Sequence, residues 1–358
     1  GQSTVKRKSV TIKDVAAEAG VSRQTVSRVL NDKGEVAADT RERILQIMDE
    51  LGYYPNPAAR GLSGQRTYNI GLIIPYSAAY LFSDPHLLQF FCGVDQIAGQ
   101  RGFNLLFSTS RTDNVAESAA DISAYERLLR SGYVDGIIVV ETIASEKGRA
   151  LLERYGYPWV TLGYGLNGKE RYAVHADDRG GARQAMMHLL SLGHRRIGVI
   201  GGPQQGLVAT EERLSGCRQA LADHNLTLDE TLLIWGDYTS ESGYRAAAQL
   251  LDAPNPPTAI FALSDRMAIG VLRCLRERRI SVPGAFSVVG FDDIPLAAEF
   301  TPTLTTVRQP ALEMGQQAAR LLLDVVEGYN ITLDPISLPT ELVVRDSTGP
   351  VLTGSEDC

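Results

Sequence analysis

Cysteine is scarce and scattered. Cys92, Cys217, Cys274 and Cys358 are the only four in 358 residues, and no two form a CxxC pair. That spacing supports neither a structural zinc site nor a dithiol redox centre. Reduced, buried thiols are expected, with Cys358 exposed on a tail. Long apolar runs are also missing: none approaches the ~20 residues needed to cross a bilayer. No signal peptide opens the chain, so the expected compartment is the cytoplasm. Histidine is sparse, at five residues. His188 and His194 lack metal-ligand spacing, and His194 is expected to pack or cap at a helix end. No Ser/His/Asp motif stands in a recognisable context, so the chain reads as a non-enzyme without cofactor or metal. Gly163-Tyr-Gly-Leu-Asn-Gly168-Lys169 nearly spells a phosphate-binding loop. Position 170, however, is Glu where a metal-binding Ser or Thr is required, and its carboxylate would repel phosphates. Gly198-Val-Ile-Gly201-Gly202 does not make the dinucleotide fingerprint. Asp292-Asp293 could suggest a cation, but without further oxygen ligands a cap or a sugar contact is preferred.

Net positive charge is lacking as well. The chain carries −7 overall, which is not the balance of a molecule that binds nucleic acid over its whole surface. The charge is uneven, however. Residues 1–66 hold 11 Lys and Arg against 8 Asp and Glu, while the remainder holds 24 against 34. A basic head on an acidic body is what results when only the head touches phosphate. Lys6, Arg7 and Lys8 suit a loose arm or an ordinary solvated tail.

Within that head, Thr11 to Asn31 reads as two short helices joined by a tight turn. Thr11 with Asp14 three residues later is a capping pattern that places a carboxylate at the positive helix end. Ile12, Val15, Ala16 and Ala19 recur at helical spacing and make one apolar face. Gly20 stops that helix. Ser22 can cap the second, whose Val26, Val29 and Leu30 face inward. Arg23, Gln24, Thr25, Ser27, Arg28 and Asn31 are left outside. Arg pairs with guanine, Gln and Asn pair with adenine, and Ser and Thr reach phosphates. Such a face suits the major groove, although a small helical bundle with a solvated polar face would look similar. A third helix starts at Asp39 or Thr40, buries Ile44, Ile47, Met48 and Leu51, and ends at Gly52.

Residues 54–64 follow as a linker. Asn56 can cap and Pro57 suits a first turn, so a short helix at 57–62 is possible. Gly61 costs about 1 kcal/mol there, and so short a helix is unstable alone. A segment that becomes helical only when held, or a plain tether, are both compatible with this composition.

From Tyr68 onward, short apolar runs alternate with amphipathic helical stretches. The runs are at 69–75, 103–108, 134–140, 159–162, 196–201, 232–236, 259–263 and 287–291. Strands separated by helices imply parallel sheets covered on both faces. Several runs end in polar or small residues, and ligands of open α/β sheets bind beyond the carboxyl ends of strands. Two α/β lobes with a cleft between them are expected. Residues 304–310 and 338–344 would make late crossings, with a helix over 311–327 between them.

These residues together resemble the lactose- and purine-repressor (LacI/GalR) family of bacterial transcription regulators over nearly the whole chain. The carriers are TIKDVAAEAGVSRQTVSRVLN at 11–31, TRERILQIMDELGYYPNPAARGL at 40–62, LGHRRIGVIGGP at 192–203, RLSGCRQAL at 213–221, PTAIFALSDRMAIGVL at 257–272, SVVGFDD at 287–293 and LTTVRQP at 304–310. The resemblance implies an α/β core of two Rossmann-like subdomains, of the type I periplasmic-binding-protein kind, behind an all-α helix-turn-helix headpiece. The expected divisions are a headpiece over 1–53, a hinge helix or linker over 54–67 and a core over 68–347. Within the core, an N-subdomain would take about 68–174 and 304–334. A C-subdomain would take about 175–303 and 335–347, with 348–358 as a tail. A homodimer bound to a palindromic operator is implied, with a small effector in the core cleft changing operator affinity. Sugars are the family's majority case. Residues 351–358 are too short for the heptad helix that makes tetramers.

Carried over by position, Arg23 and Gln24 stand where base edges are read, and Arg28 matches a further base or backbone contact. Thr11, Ser22, Thr25, Ser27 and Asn31 match phosphate or helix-positioning places, and Asn56 lies at the hinge start. Leu62 matches the hinge leucine that enters the minor groove, where an apolar wedge unstacks a base step. Pro57 and Gly61 depart from the hinge pattern. In the core, Arg213 matches an effector-binding arginine, Asp265 and Asp292 match acidic cleft positions, and Tyr238 replaces a common aromatic residue. This chemistry suits a polyol: carboxylates accept from hydroxyls, arginine donates to oxygens, and aromatic faces stack on sugar surfaces. Alternatively, Asp265 and Asp292 could cap helices and Arg213 could make a lobe–lobe salt bridge. Tyr80, Phe82, Ser110, Tyr164 and Asp178 fall on loops expected to face the cleft.

Overall fold

The computed structural model describes residues 10–30, 34, 36–51, 53, 66–112, 121–140, 146–164, 172–204, 207–329 and 334–351. The chain divides after Thr67 into two compact units. The expected hinge helix, with Asn56, Pro57, Gly61 and Leu62, lies outside the described residues, as do Asn31 and the near-P-loop segment 165–170.

The first unit holds α1 (Ile12–Glu18), α2 (Arg23–Leu30) and α3 (Ala38–Leu51). At the start of α1 the Asp14 carboxylate accepts from both the N–H and the hydroxyl of Thr11, each at 2.7 Å. Gly20, at φ +63°, turns the chain out of α1 in the left-handed region that a glycine occupies without steric penalty. Ser22 then opens α2, its Oγ accepting from the Thr25 N–H at 3.1 Å. Val26 and Val29 of α2 pack with Val15, Ala16, Ala19 and Ile44 into one small core.

The second unit has two six-stranded sheets. Its first part runs β1 (Asn69–Ile74), α4 (Ala78–Ser83), α5 (Pro85–Gln100), β2 (Asn104–Thr109), α6 (Ser123–Ser131), β3 (Gly136–Val140), α7 (Glu146–Tyr155), β4 (Trp159–Leu162) and β5 (Ala173–Ala176). Then come α8 (Asp178–Ser191), β6 (Ile197–Gly201), α9 (Val208–Ala222), β7 (Leu233–Trp235), α10 (Ser240–Leu251), β8 (Ala259–Ala262), α11 (Asp265–Glu277) and β9 (Ser287–Asp292). The chain closes with β10 (Thr305–Arg308), α12 (Ala311–Glu327), β11 (Ile336–Leu338) and β12 (Glu341–Val343). The first sheet has the order β11-β5-β4-β3-β1-β2 and the second β12-β10-β9-β8-β6-β7. Among the described residues every pairing is parallel except β10 with β12. Ile70 to Ile74 are all buried, as a central parallel strand covered on both faces requires. β2, at the sheet edge, leaves half of its residues exposed.

The strands divide between the lobes differently from the expected boundaries. β10 pairs with β9 in the second sheet, although the sequence reading places 304–334 in the first lobe. α12 does pack in the first lobe, its Ala318 and Leu322 lying against Ile138 and Val160. β11 pairs with β5 in the first sheet, although the sequence reading places 335–347 in the second lobe. β5, absent from the expected runs, ends at Ala176 in the first sheet. The chain therefore crosses between lobes after β5, after β10 and after β11. In the first lobe α5 and α12 touch backbone to backbone. A Cβ on Gly93 would stand 2.0 Å from the Leu312 carbonyl oxygen, and one on Gly315 would stand 2.0 Å from that of Phe90.

Two further expectations change. Cys217 and Cys274 are buried, but Cys92 is exposed; Cys358 lies outside the described residues. Residues 348–351 of the expected tail are held to the second lobe. The Val351 N–H donates to the Leu192 carbonyl at 2.9 Å, and the buried His194 ring meets Gly349 O at 3.1 Å and Ser287 Oγ at 3.0 Å. Burial pushes the His194 pKa down. Among the described residues no helix is long and apolar enough to cross a membrane.

Candidate functional site

The first unit presents one polar face. Arg23 and Gln24 in the first turn of α2, and Arg28 in its last, are exposed, while Val26 and Val29 on the opposite side are buried. Thr11 and Ser22 are exposed; Thr25 and Ser27 are half-buried. Thr25 Oγ1 lies 2.9 Å from Ser22 Oγ, so the two hydroxyls define the helix entry. No acidic residue occupies the first turn of α2. The positive end of the helix dipole therefore meets no carboxylate there and suits a phosphate.

In the second unit a cavity opens at the carboxyl ends of strands from both sheets. Its volume is about 140 Å³. Val140 ends β3, Leu162 ends β4 and Ala176 ends β5; Ser264 follows β8, Asp292 ends β9 and Gln309 follows β10. The first sheet reverses its order between β1 and β3, and such a switch point leaves a crevice beyond the strand ends.

Arg213, on α9, is the buried cation of the cavity. Its Nε donates to Asp178 Oδ1 at 2.6 Å and its Nη1 to the Leu263 carbonyl at 2.6 Å. Its guanidinium lies 3.9 Å from the Phe291 ring centroid. Burial opposes its charge, but the Asp178 carboxylate more than offsets this and holds its pKa above the usual arginine value. Asp292 accepts from Gln309 Nε2 at 2.7 Å and lies 3.9 Å from Arg213. Burial pushes the Asp292 pKa up, against the pull of His86 and Arg213. The Tyr80, Tyr164 and Tyr238 phenols are raised by burial, so they serve as neutral hydroxyls. Tyr238 Oη meets Thr210 Oγ1 at 2.5 Å, and Tyr164 donates to the Ala176 carbonyl at 2.8 Å. Two aromatic pairs face the same space. Tyr76 and Tyr80 stack at 4.4 Å, and Tyr164 and His175 stack at 4.2 Å.

Side chains from the two lobes meet here. Arg266, on α11 of the second lobe, donates to Asp84 Oδ2 at 3.1 Å. Asp84 belongs to the first lobe, where its Oδ1 caps α5 by accepting from the His86 and Leu87 N–H groups. His86 Nε2 lies 3.1 Å from Gln309 Nε2 and 4.0 Å from Asp292.

Arg213, Asp292, Tyr238, Tyr80, Tyr164 and Asp178 all line the cavity. Three other expected residues lie elsewhere. Asp265 is fully buried as the first residue of α11, accepting from the Ile294 N–H and the Thr306 hydroxyl. Burial, together with the neighbouring Asp292, pushes its pKa well up. Phe82 is 66% exposed and does not reach the wall. Ser110 is buried but donates to Asp121 at 2.8 Å, away from the cavity. Sequence reasoning missed Asp84, His86, Arg266 and Gln309. Asp84-Pro-His86 carries a readable signal, an N-cap followed by proline. Arg266 carries none, because its partner is 182 residues away.

Residues 11–56 match the profile of bacterial regulatory proteins, lacI family, and residues 186–348 match a periplasmic binding protein-like domain. The HTH-type transcriptional regulator CelR of Thermobifida fusca is 38% identical over 347 residues, 96% of this chain and 99% of that protein. The HTH-type transcriptional repressor CytR of Escherichia coli K12 is 33% identical, over 95% of this chain and 96% of its own. Among solved structures, a CelR–cellobiose complex superposes with TM-score 0.72 at 37% identity, covering 94% of this chain and 99% of that one. A lac repressor dimer bound to operator and the anti-inducer ONPF superposes with TM-score 0.83 at 30% identity, covering 96% of this chain and 100% of that one.

Proposed function

The chain belongs to the lacI family of bacterial regulatory proteins, non-enzymatic transcription regulators that bind DNA, and on that premise we propose how this member reads DNA and what controls it. Arg23, Gln24 and Arg28 read base edges from the major groove. Thr11, Ser22, Thr25 and Ser27 fix the helix on phosphates, and Asn31, Asn56 and Leu62 complete the DNA contacts. The protein acts in the cytoplasm as a homodimer on a palindromic operator, as a repressor. Support comes from the exposed polar face of α2 and from the related lac repressor dimer on its operator.

A sugar in the cleft controls operator affinity. The observation that carries this reading is the convergence of Arg213, Asp178 and Asp292 on a cavity that the two aromatic pairs also line. Such a site pairs donors and acceptors with hydroxyls and stacks rings on apolar sugar faces. The related CelR was solved with cellobiose. Control follows if the sugar binds two arrangements of the lobes unequally, because it then shifts their populations by its differential affinity.

The test is fluorescence anisotropy with a palindromic duplex selected by the protein from a random pool, repeated with and without sugars. The expected result is an affinity that falls steeply with salt, as phosphate contacts require, and that changes when cellobiose or another neutral sugar is added. Salt-insensitive binding would remove the DNA reading; an affinity indifferent to every sugar would remove the effector reading.

A further inference from the structure

We propose that the cleft takes an uncharged, hydroxyl-rich ligand and rejects phosphorylated or acidic sugars, an inference that rests on the sugar-effector reading above. The described residues of the wall include two guanidinium groups, Arg213 and Arg266, against three carboxyls, Asp84, Asp178 and Asp292. Both cations are already matched. Arg213 holds Asp178 at 2.6 Å and spends a further donor on the Leu263 carbonyl. Arg266 holds Asp84 at 3.1 Å. An anionic ligand would have to displace one of these carboxylates or sit beside Asp292, and like charges brought together out of water repel strongly.

Two imidazoles, His86 and His175, complete the polar part of the wall. Gln309 Nε2 carries two hydrogens, one directed at Asp292 Oδ1 and the other at His86 Nε2. His86 Nδ1 is the buried side-chain atom without a partner among the described residues. A hydroxyl or ring oxygen brought beside it would end the deficit without a charge. His175 Nδ1 lies 3.0 Å from the Ala176 carbonyl oxygen, a partner that calls for an N–H donor. The remaining surface is aromatic, and it suits the C–H faces of a pyranose.

The experiment is calorimetry on the full chain with glucose, cellobiose, maltose and trehalose, alongside glucose 6-phosphate and trehalose 6-phosphate. The expected outcome is that a neutral sugar binds and its phosphorylated counterpart binds at least about tenfold more weakly. A phosphorylated sugar that binds as well as or better than its neutral parent overturns the inference and leaves the sugar reading standing. No binding by any of the six, with operator binding intact, rejects both. Asp84→Asn supplies the second arm. Asparagine caps a helix as well as aspartate, so the start of α5 is kept while Arg266 loses its counter-charge. The handicap of the phosphorylated sugars should then shrink by about tenfold. An unchanged handicap in a variant that melts like the parent overturns the charge-balance argument.

Discussion

Replacing Asp178 by asparagine tests whether the Arg213 guanidinium is held by a water-free ion pair. The two side chains are 4% and 8% exposed and meet at 2.6 Å. Breaking a buried pair from one side leaves the other charge uncompensated, at a cost of about 3–5 kcal/mol. Asp178→Asn and Arg213→Met should each lose about that much. The double variant should lose far less than their sum, because no stranded charge remains, so the coupling should exceed about 2 kcal/mol. Against a domain stability of roughly 5–15 kcal/mol, each single loss is large. Denaturant unfolding followed by tryptophan fluorescence reads it. Trp159 lies in β4 of the first sheet and Trp235 in β7 of the second. Since Asp178 and Arg213 both belong to the second lobe, a separate transition should move at Trp235 and not at Trp159. Losses that add within about 0.5 kcal/mol would refute the reasoning, because they describe two independent side chains. The pair also preorganises a donor for a ligand: Arg213→Met should abolish the sugar response while leaving sugar-free operator binding in place.

In the first unit, Arg28→Ala should weaken specific operator binding by about 1–3 kcal/mol if it reads a base, with sugar affinity and core melting unchanged; anisotropy and calorimetry on the same sample separate the two. In α5, Gly93→Ala should destabilise the first lobe by about 1–3 kcal/mol, because its Cβ would collide with the Leu312 carbonyl. Gly99→Ala on the same helix meets nothing within 4 Å and should stabilise by up to about 1 kcal/mol; thermal melting that ranks them the other way would refute the close-packing account. His194 has a folded pKa below its ordinary value of 6.5, so the unfolded chain binds a proton before the native one does. Stability should therefore be full above about pH 6.5 and fall as pH drops below it. His194→Gln should flatten that part of the profile, and an unchanged slope would show that another group titrates there.

Much of the core was legible because central parallel strands must be apolar throughout. Residues 70–74 and 288–291 are such runs, and α12 keeps the expected bounds, Ala311–Glu327. β5 escaped because Ala-Val-His-Ala is four residues long and carries no apolar run. The sheet to which a late strand returns was not legible either. The late crossings read at 304–310 and 338–344 take in β10 and β12, but only pairing with residues 289–292 assigns β10 to the second lobe, and β11, paired with residues 174–176 of the first sheet, escaped.

The cleft shows the same limit at the scale of one residue. In Ser264-Asp265-Arg266, the serine and the arginine line the cavity and the aspartate between them does not. All three follow β8, and all three are polar. The outcome is decided by where α11 begins: Ser264 caps it through the Met267 N–H, and Asp265, one residue on, turns back onto the Ile294 N–H. A resemblance carried by the whole motif does not resolve that rotation. The same holds for Asp84 and Arg266, each of which reads locally as a helix-end residue. Their ion pair exists only when the two lobes stand as they do here, so any arrangement that parts the lobes must break it. The residues that report lobe position are therefore the ones a linear reading is least able to find.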